Sequence, residues 1–326
     1  MLRKTAAVVL MTVIFVGVLA QPSQGKEFPK RPIEVLIPYT VGASMDFMAR
    51  IVAEFIPKYV GQPLVVINKV GGGGAVAAAE ILSSKPDGYK LMVTTTTFFT
   101  TTTKTQKVPF DPYHLVPVAN FMQFRNGLLV KGDSPWKTFD DLLDYARKNP
   151  GKLKWTHTGR GISQHMYGLL IFRKAGVETV DIPYPGNPEM LSAMLGGHTH
   201  ASFMVYGGAR EHVKAGVVRY LVTVGDDRFS VTPDVPCSTE LGFPEPAKLQ
   251  TNVGFYTHKD TPEDIKKTLI EAFKKVQENP EVKKRIEALG EEPKFGGPEF
   301  MMEAIKNSEE PAMRILKELG LYVGGK

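Results

Sequence analysis

Hydrophobic positions along the chain switch repeatedly between two periods. "IEVLIPY" (33–39) is a continuous apolar run of strand length, and behind it Phe47, Met48, Ile51, Val52 and Phe55 recur at helical spacing while Arg50 and Glu54 face away. "PLVVIN" (63–68) predicts the next strand, "GGGG" a turn, "AVAAAEILSS" a helix of small residues, "KPDG" a further turn and "YKLMVTTTT" (89–97) a third strand. Successive strand, helix and strand units predict a mainly parallel sheet with right-handed crossovers.

A second series begins near residue 127. "GLLVKG" is a strand, and Thr138 caps a helix with Asp140 and Asp141 in its first turn, where the helix dipole favours acids. Strand "LKWTHT", helix "SQHMYGLLIFRKA", strand "ETVDIPY", helix "PEMLSAML", strand "HASFMV", a short helix to Ala215 and strand "VRYLVTV" follow in turn. Beyond a Pro-rich stretch (233–246), "VGFYTH" reads as one more strand. Helices are predicted over 262–279, 280–289 and 298–319, the first capped by Thr261 with Pro262 at its first position. With no strands between them, these helices are expected to pack back onto the first sheet. The expectation is an α/β protein of two lobes, 26–125 with 240–326 and 126–239, joined by crossing segments near 120–127 and 225–250. Ligands of open α/β sheets bind beyond the carboxyl ends of the strands, here a cleft between the lobes.

The chain start stands apart from this pattern. Arg3 and Lys4 precede an unbroken apolar run from Ala6 to Ala20, followed by small residues. That is a secretory signal peptide, predicted over residues 1–25, with cleavage after Ala20 or after Gly25. The single cysteine, Cys237, permits no internal disulfide, and no Cys stands near the cleavage site to carry a lipid anchor. A soluble periplasmic protein is expected. The formal charge of +6 falls to +4 once Arg3 and Lys4 are removed. No Lys/Arg block of nucleic-acid type occurs, so no nucleic acid is expected as partner.

The candidate chemistry lies at strand-to-helix joins. In "IPYTVGASMDFMAR" a strand ends at Tyr39 and turns through Thr40, Val41, Gly42 and Ala43 into a helix that Ser44 can cap, which aims free backbone N–H groups at the crevice. It lacks the Lys of a phosphate loop and the glycine spacing of a dinucleotide fingerprint. Asp46 serves the helix dipole or organises this anion seat. "HTGRGISQHM" repeats the logic in the second lobe, with Thr158, Gly159, Arg160, Gly161, a capping Ser163 and His165; Arg160 offers a bidentate carboxylate contact. "VGGGGAVAAAE" reads as a close-packed turn. "TTTTFFTTTTKT" reads either as a strand entering a polar loop or as Thr95, Thr96 and Thr97 offering hydroxyls to the cleft beside an apolar Phe98. Tyr184 and Gly186, at a carboxyl edge, are further cleft candidates, as is Tyr206.

Two alternatives are weighed and set aside. Ser163 and His165 are two residues apart at a helix start, so their side chains diverge, and no G-x-S-x-G elbow is present; no catalytic residue is expected. His198 and His200 fall on one strand face but lack a third ligand of suitable spacing, so no metal is expected.

The ordered series "FPKRPIEVLIPYTVGASMDFMAR", "VINKVGGGGAVAAAEILSSKPDGYKLM", "GISQH", "VDIPYPGNPEMLSAMLGGH" and "VRYLVTVGDDRFSVTPDVPCSTELGFP" resembles the Bug-type solute-binding proteins of tripartite tricarboxylate transporters over nearly all of the mature chain. The resemblance implies a two-lobed type II periplasmic binding protein (Venus flytrap), each lobe a mixed β-sheet flanked by helices, with no enzymatic activity and no cofactor. It implies that two loops, Tyr39 through Asp46 and Gly159 through His165, grip the carboxylate of a small organic acid largely through backbone N–H groups and waters, with Tyr184 in the Pro-Tyr-x-Gly turn. Its partners would be the permease subunits of such a transporter, with the protein itself a monomer. An extracytoplasmic carboxylate sensor docking a signalling receptor is the alternative.

Overall fold

Two sheets carry the chain in the computed structural model, which describes residues 28–323; the predicted leader lies outside them. The elements run β1 (Ile33–Ile37), α1 (Ser44–Phe55), the one-turn α2 (Pro57–Val60), β2 (Leu64–Asn68), α3 (Ala75–Ser83), β3 (Lys90–Thr95), α4 (Thr96–Thr100) and β4 (Leu115–Phe124). The second series is β5 (Asn126–Lys131), α5 (Phe139–Lys148), β6 (Leu153–His157), α6 (Ser163–Lys174), β7 (Thr179–Pro183), α7 (Asn187–Leu195), β8 (Ala201–Val205), α8 (Tyr206–Lys214) and β9 (Val218–Thr223). The return is β10 (Thr251–His258), α9 (Glu263–Gln277), α10 (Pro280–Ala288), β11 (Glu292–Gly296) and α11 (Pro298–Glu318).

The first sheet has the order β11-β4-β10-β3-β1-β2 and the second β7-β6-β8-β5-β9. Both are mixed. β1, β2 and β3 pair parallel, as do β6, β7 and β8, whereas β10, β4 and β11 in one sheet and β5 and β9 in the other run antiparallel. The parallel halves come from the strand, helix and strand units seen in the sequence. The antiparallel halves come from strands that cross between the sheets, where β4 leads directly into β5 through Arg125.

Two strands escaped the sequence pattern. β4, "LVPVANFMQF", is buried along nearly its whole length, so it has no alternation, and Pro117 argues against it. β11, "EPKFG", is an edge strand whose pairing with β4 shifts register, and it separates α10 from α11 where no strand was expected.

Each sheet packs its own core. Val35, Leu91, Phe121, Phe255 and Phe273 are buried on one side of the first sheet, and Trp155, Phe172 and Phe203 centre the core of the second. Helix α11 belongs to both. Its Met301 and Ile305 pack with Leu36 and Phe98 of the first sheet's other face, while Ala312, Ile315 and Leu316, beyond Pro311, pack with the second core. Leu249 joins that second core too, and its carbonyl accepts the Tyr167 hydroxyl at 2.8 Å.

The predicted caps were right once. Thr138 closes a capping box with Asp141 at the start of α5. At α1, α6 and α9 the cap position instead falls one residue away, on Ala43, Ile162 and Pro262, and none of the three supplies a side-chain cap. Ser44 and Ser163 are therefore the first helical residues of α1 and α6, and Thr261 bonds Thr257.

Candidate functional site

Between the sheets lies a cleft of about 1580 Å³, walled on one side by residues 39–45 and Phe47 and on the other by Thr158, Ile162, Ser163 and Gln164. Its floor carries Thr95, Thr97, Thr101, Phe124, Asn126 and Thr251, and a side limb runs along α7 and α8 past Gly186, Asn187, Gly207 and Arg210.

The two walls are built alike. In "GASMD" (42–46) and "GISQH" (161–165) a glycine in the left-handed region, φ 87° at Gly42 and φ 78° at Gly161, turns the chain into a helix whose first residue is serine. The third helical residue then reaches back to the glycine: Gly42 N–H donates to Asp46 Oδ2 at 3.0 Å and Gly161 N–H donates to His165 Nδ1 at 3.1 Å. Only a residue tolerant of positive φ fits these turns, and at Gly161 a Cβ would also come 2.7 Å from Thr105 Cγ2. With those N–H groups satisfied by side chains, the N–H groups of residues 44–46 and 163–165 have no acceptor within their helices and sit at the dipole's positive ends.

Asp46 is buried and held from behind. Arg50 Nη2 lies 2.9 Å from its Oδ1, Asn68 Nδ2 donates to the same oxygen at 2.9 Å, and Asn68 Nδ2 also reaches the Tyr39 carbonyl at 3.0 Å. Loop 39–43 is thus pinned at both ends. Burial pushes the Asp46 carboxyl up, but the bonds from Arg50, Gly42 N–H and Asn68 outweigh it and hold the group below the usual carboxylate range. Asp46 ties the loop to α1 and does not itself line the cleft.

The second wall is fastened by a buried cluster. His157 Nδ1 accepts Gly159 N–H at 3.1 Å, and the Nε2 atoms of His157 and His165 face Asp181 Oδ2 at 3.1 and 3.6 Å. Burial, first of all, lowers the pKa of both imidazoles, that of His165 to about 4. Since each Nδ1 lone pair accepts a backbone N–H, the neutral rings carry their protons on Nε2 and point them at the carboxylate. His157, His165 and Asp181 have the proximity of a metal site, but with Nε2 protonated neither ring has a lone pair for a cation. Gln164 completes the fastening by accepting both Thr158 N–H at 3.1 Å and Thr158 Oγ1–H at 2.7 Å.

The structure distributes the predicted site residues unequally. Tyr39, Thr40, Val41, Gly42, Ala43, Ser44, Thr95, Thr97, Thr158, Ser163 and Gly186 line the cleft. Thr95 and Thr97 share a 2.9 Å hydroxyl bond there. Thr96 turns inward to the Gln250 carbonyl and the Asn252 N–H, and Phe98 is buried in the core beside α11, because α4 starts at residue 96 and rotates these two side chains off the cleft. Arg160 is exposed and pairs with Asp181 at 3.1 Å, so its charge is spent on the cluster behind the loop. Gly159, Gly161 and His165 fasten the wall from behind. Tyr184 packs against the core under α7, and Tyr206 stacks on Tyr220. His198 and His200 lie in the turn ahead of β8, and His200 Nδ1 accepts the Lys154 N–H, so the two rings do not share a strand face.

Four lining residues that the sequence reading passed over are Asn126, Gln164, Thr251 and Arg210. Gln164 stood inside a quoted motif, two residues from Ile162. Asn126 on β5 and Thr251 on β10 belong to different sheets, and they line one cleft because β10 pairs with β4, which runs directly into β5.

Among the described residues no helix is long and apolar enough to cross a membrane. Residues 48–321 match the model of the tripartite tricarboxylate transporter family receptor. A Cupriavidus necator protein described as a UPF0065 protein in the gbd 5' region is 33% identical over 309 residues, covering 94% of this chain and 93% of its own. The solved structure of a periplasmic transporter superposes with TM-score 0.80 at 29% identity, covering 91% of this chain and 100% of its own. MatC of Rhodopseudomonas palustris, solved with bound malate, gives TM-score 0.72 at 25% identity over 87% of this chain and 100% of its own. The mixed two-sheet fold, the cleft and these likenesses agree: the chain belongs to the tripartite tricarboxylate transporter receptor family, the Bug-type periplasmic solute-binding proteins, which hold their ligands without chemistry.

Proposed function

We propose that this protein captures a small organic acid, a mono-, di- or tricarboxylate of aliphatic or aromatic type, and hands it to the permease subunits of a tripartite tricarboxylate-type transporter. The observation that carries the reading is the pair of like-built helix starts, α1 and α6, on opposite walls of one cleft. Free N–H groups with a helix dipole behind them are suited to a carboxylate, which needs several donors at once and no full positive charge. The hydroxyl pair of Thr95 and Thr97, which uses one proton between its members, leaves the other as a further neutral donor.

In this reading the lobes are 26–125 with 240–326, and 126–239, and they close by hinge motion about the β4–β5 crossing and the segment before β10. Ligand favours the closed form only through its contacts with both lobes. The binding residues are those of loop 39–44, Thr158 and residues 162–164, together with the threonines of the floor; Asp46, His157, Gly159, Gly161 and His165 hold them in place. The protein works in the periplasm as a monomer, after removal of its leader. Malate bound to MatC supports the choice of ligand class.

Isothermal calorimetry with malate, succinate, citrate and benzoate tests the reading. Saturable one-to-one binding of at least one of them, weakened in the Ser163→Pro variant that removes a donor from α6, is the expected result. No binding by any member of the panel overturns it.

A further inference from the structure

One buried acid next to the first wall has no part in the arrangement above. Glu291, in the turn between α10 and β11, is 4% exposed. Its Oε1 lies 2.7 Å from Ser44 Oγ, at the first residue of α1, and its Oε2 is buried with no hydrogen-bond partner. From the other side α8 closes over it so tightly that a Cβ on Gly207 would collide with the carboxyl.

Among the described residues no cation pairs with a charge at this position. Around Glu291 stand Tyr206 and Arg210 on α8, which meet the neighbouring Gly290, Tyr220 on β9, and the next residue in the chain, Glu292 on β11, whose carboxylate lies 3.8 Å from Arg125 Nε. Arg210 Nε is committed to Glu211 at 2.8 Å, and the Arg125 guanidinium is bidentate to Asp227 at 2.7 and 2.9 Å. Burial pushes the Glu291 carboxyl up to about 8, so at neutral pH it is mostly a neutral acid.

We propose that Glu291 is a positioning residue that sets the direction of the Ser44 hydroxyl: as a neutral acid it donates to Ser44 Oγ and leaves the Ser44 O–H free to donate into the cleft, to the ligand carboxylate at the start of α1. An ionised Glu291 can only accept. Ser44 then donates backward and presents its lone pairs to the cleft, where they repel a carboxylate. The same short contact runs in opposite directions in the two states, and ligand binding is coupled to a proton taken from solvent onto Glu291. This deepens, and rests on, the carboxylate reading of the site.

Calorimetric titrations of malate, succinate, citrate and benzoate across about pH 7 to about pH 9.5, where these acids stay ionised, test the assignment. For the wild type, affinity falls as pH rises through about 8, approaching tenfold per pH unit, and titrations in buffers of different ionisation enthalpy show proton uptake on binding. In Glu291→Gln the side-chain amide donates to Ser44 at every pH, so the profile is flat and the variant binds more tightly than wild type at the alkaline end. Ser44→Ala gives weaker binding with an equally flat profile, and it keeps the test open should Glu291→Gln fail to fold. A wild-type profile that is flat, or one unchanged in Glu291→Gln or in Ser44→Ala, overturns the assignment while leaving the carboxylate reading intact. Absence of binding by the whole panel overturns both.

Discussion

Gly42 N–H donates to the Asp46 carboxylate at 3.0 Å, and Gly161 N–H donates to the His165 imidazole at 3.1 Å. The two glycines precede their helices by the same interval, and the two acceptors are the third residues of α1 and α6. One wall uses an ionised acid for this tie and the other a neutral base. That difference sets how each wall answers mutation and pH.

Asp46→Asn keeps the size of the side chain but loses the charge that Arg50 and the Gly42 N–H both use. A charge-assisted hydrogen bond contributes about 1.5–3 kcal/mol, so carboxylate affinity should fall by roughly tenfold or more with the fold retained. Calorimetry on the variant checks this, with circular dichroism as the folding control. An unchanged Kd would return Asp46 to a simple helix-dipole role.

The second wall should weaken in acid. His157 and His165 have folded-state pKa values below the unfolded value of about 6.5. Their contribution is therefore complete above about pH 6.5 and is lost as pH falls toward about 4, the folded value of His165. Asp46 and Asp181, also lowered, lose theirs only below the usual carboxylate range. Thermal melts from neutral to acid pH should show Tm dropping first in the histidine window. In His165→Asn, whose side-chain oxygen can still accept the Gly161 N–H, that part of the drop should shrink. An identical Tm profile would assign the acid response to other groups.

Gly161→Ala places a Cβ against Thr105 Cγ2 at 2.7 Å and forces a side chain into φ 78°. Backbone strain of this kind costs about 1–3 kcal/mol, and the loss should appear as a lower denaturation midpoint together with weaker ligand binding, since the strained turn carries the α6 donors. Gly176→Ala, also at positive φ but with open space around it and far from the cleft wall, should lower stability without the added loss of affinity. Equal loss of affinity in the two would remove the distinction.

Arg210 lines the side limb of the cleft along α8 and, among the described lining residues, carries the guanidinium. Arg210→Ala should weaken malate, succinate and citrate, whose second carboxylate extends from the grip, by about 5–30-fold more than it weakens benzoate, in line with about 1–2 kcal/mol for a partly exposed charged pair. Competition calorimetry gives the ratio directly. Parallel losses for mono- and dicarboxylates would place the far end of the ligand elsewhere.

Much of this architecture was legible in the sequence because the strand, helix and strand units are local. A run such as "IEVLIPY" followed by helical spacing reports its own neighbours, and the two glycine turns could be seen as a pair before any coordinates. What escaped was non-local. β4 shows no alternation because it is buried along nearly its whole length, and β11 is recognisable only by its partner. Ser44 and Ser163 looked like caps, yet the ties come from residues farther on, so cap chemistry alone misplaced the helix starts by one residue. Arg160 looked like a ligand group, but its partner Asp181 comes from β7, twenty-one positions downstream, and only the parallel pairing of β6 with β7 shows that its charge is already engaged.

The central claim is that two helix starts on opposite walls grip one carboxylate. It is tested most directly by a thermal-shift titration of the purified protein with malate, succinate, citrate and benzoate at neutral pH. Saturating binding by one of them at about 100 times its Kd should stabilise the protein by about 2.7 kcal/mol, seen as a concentration-dependent rise in Tm that Asp46→Asn diminishes. A Tm unmoved by every acid in the panel would contradict the claim.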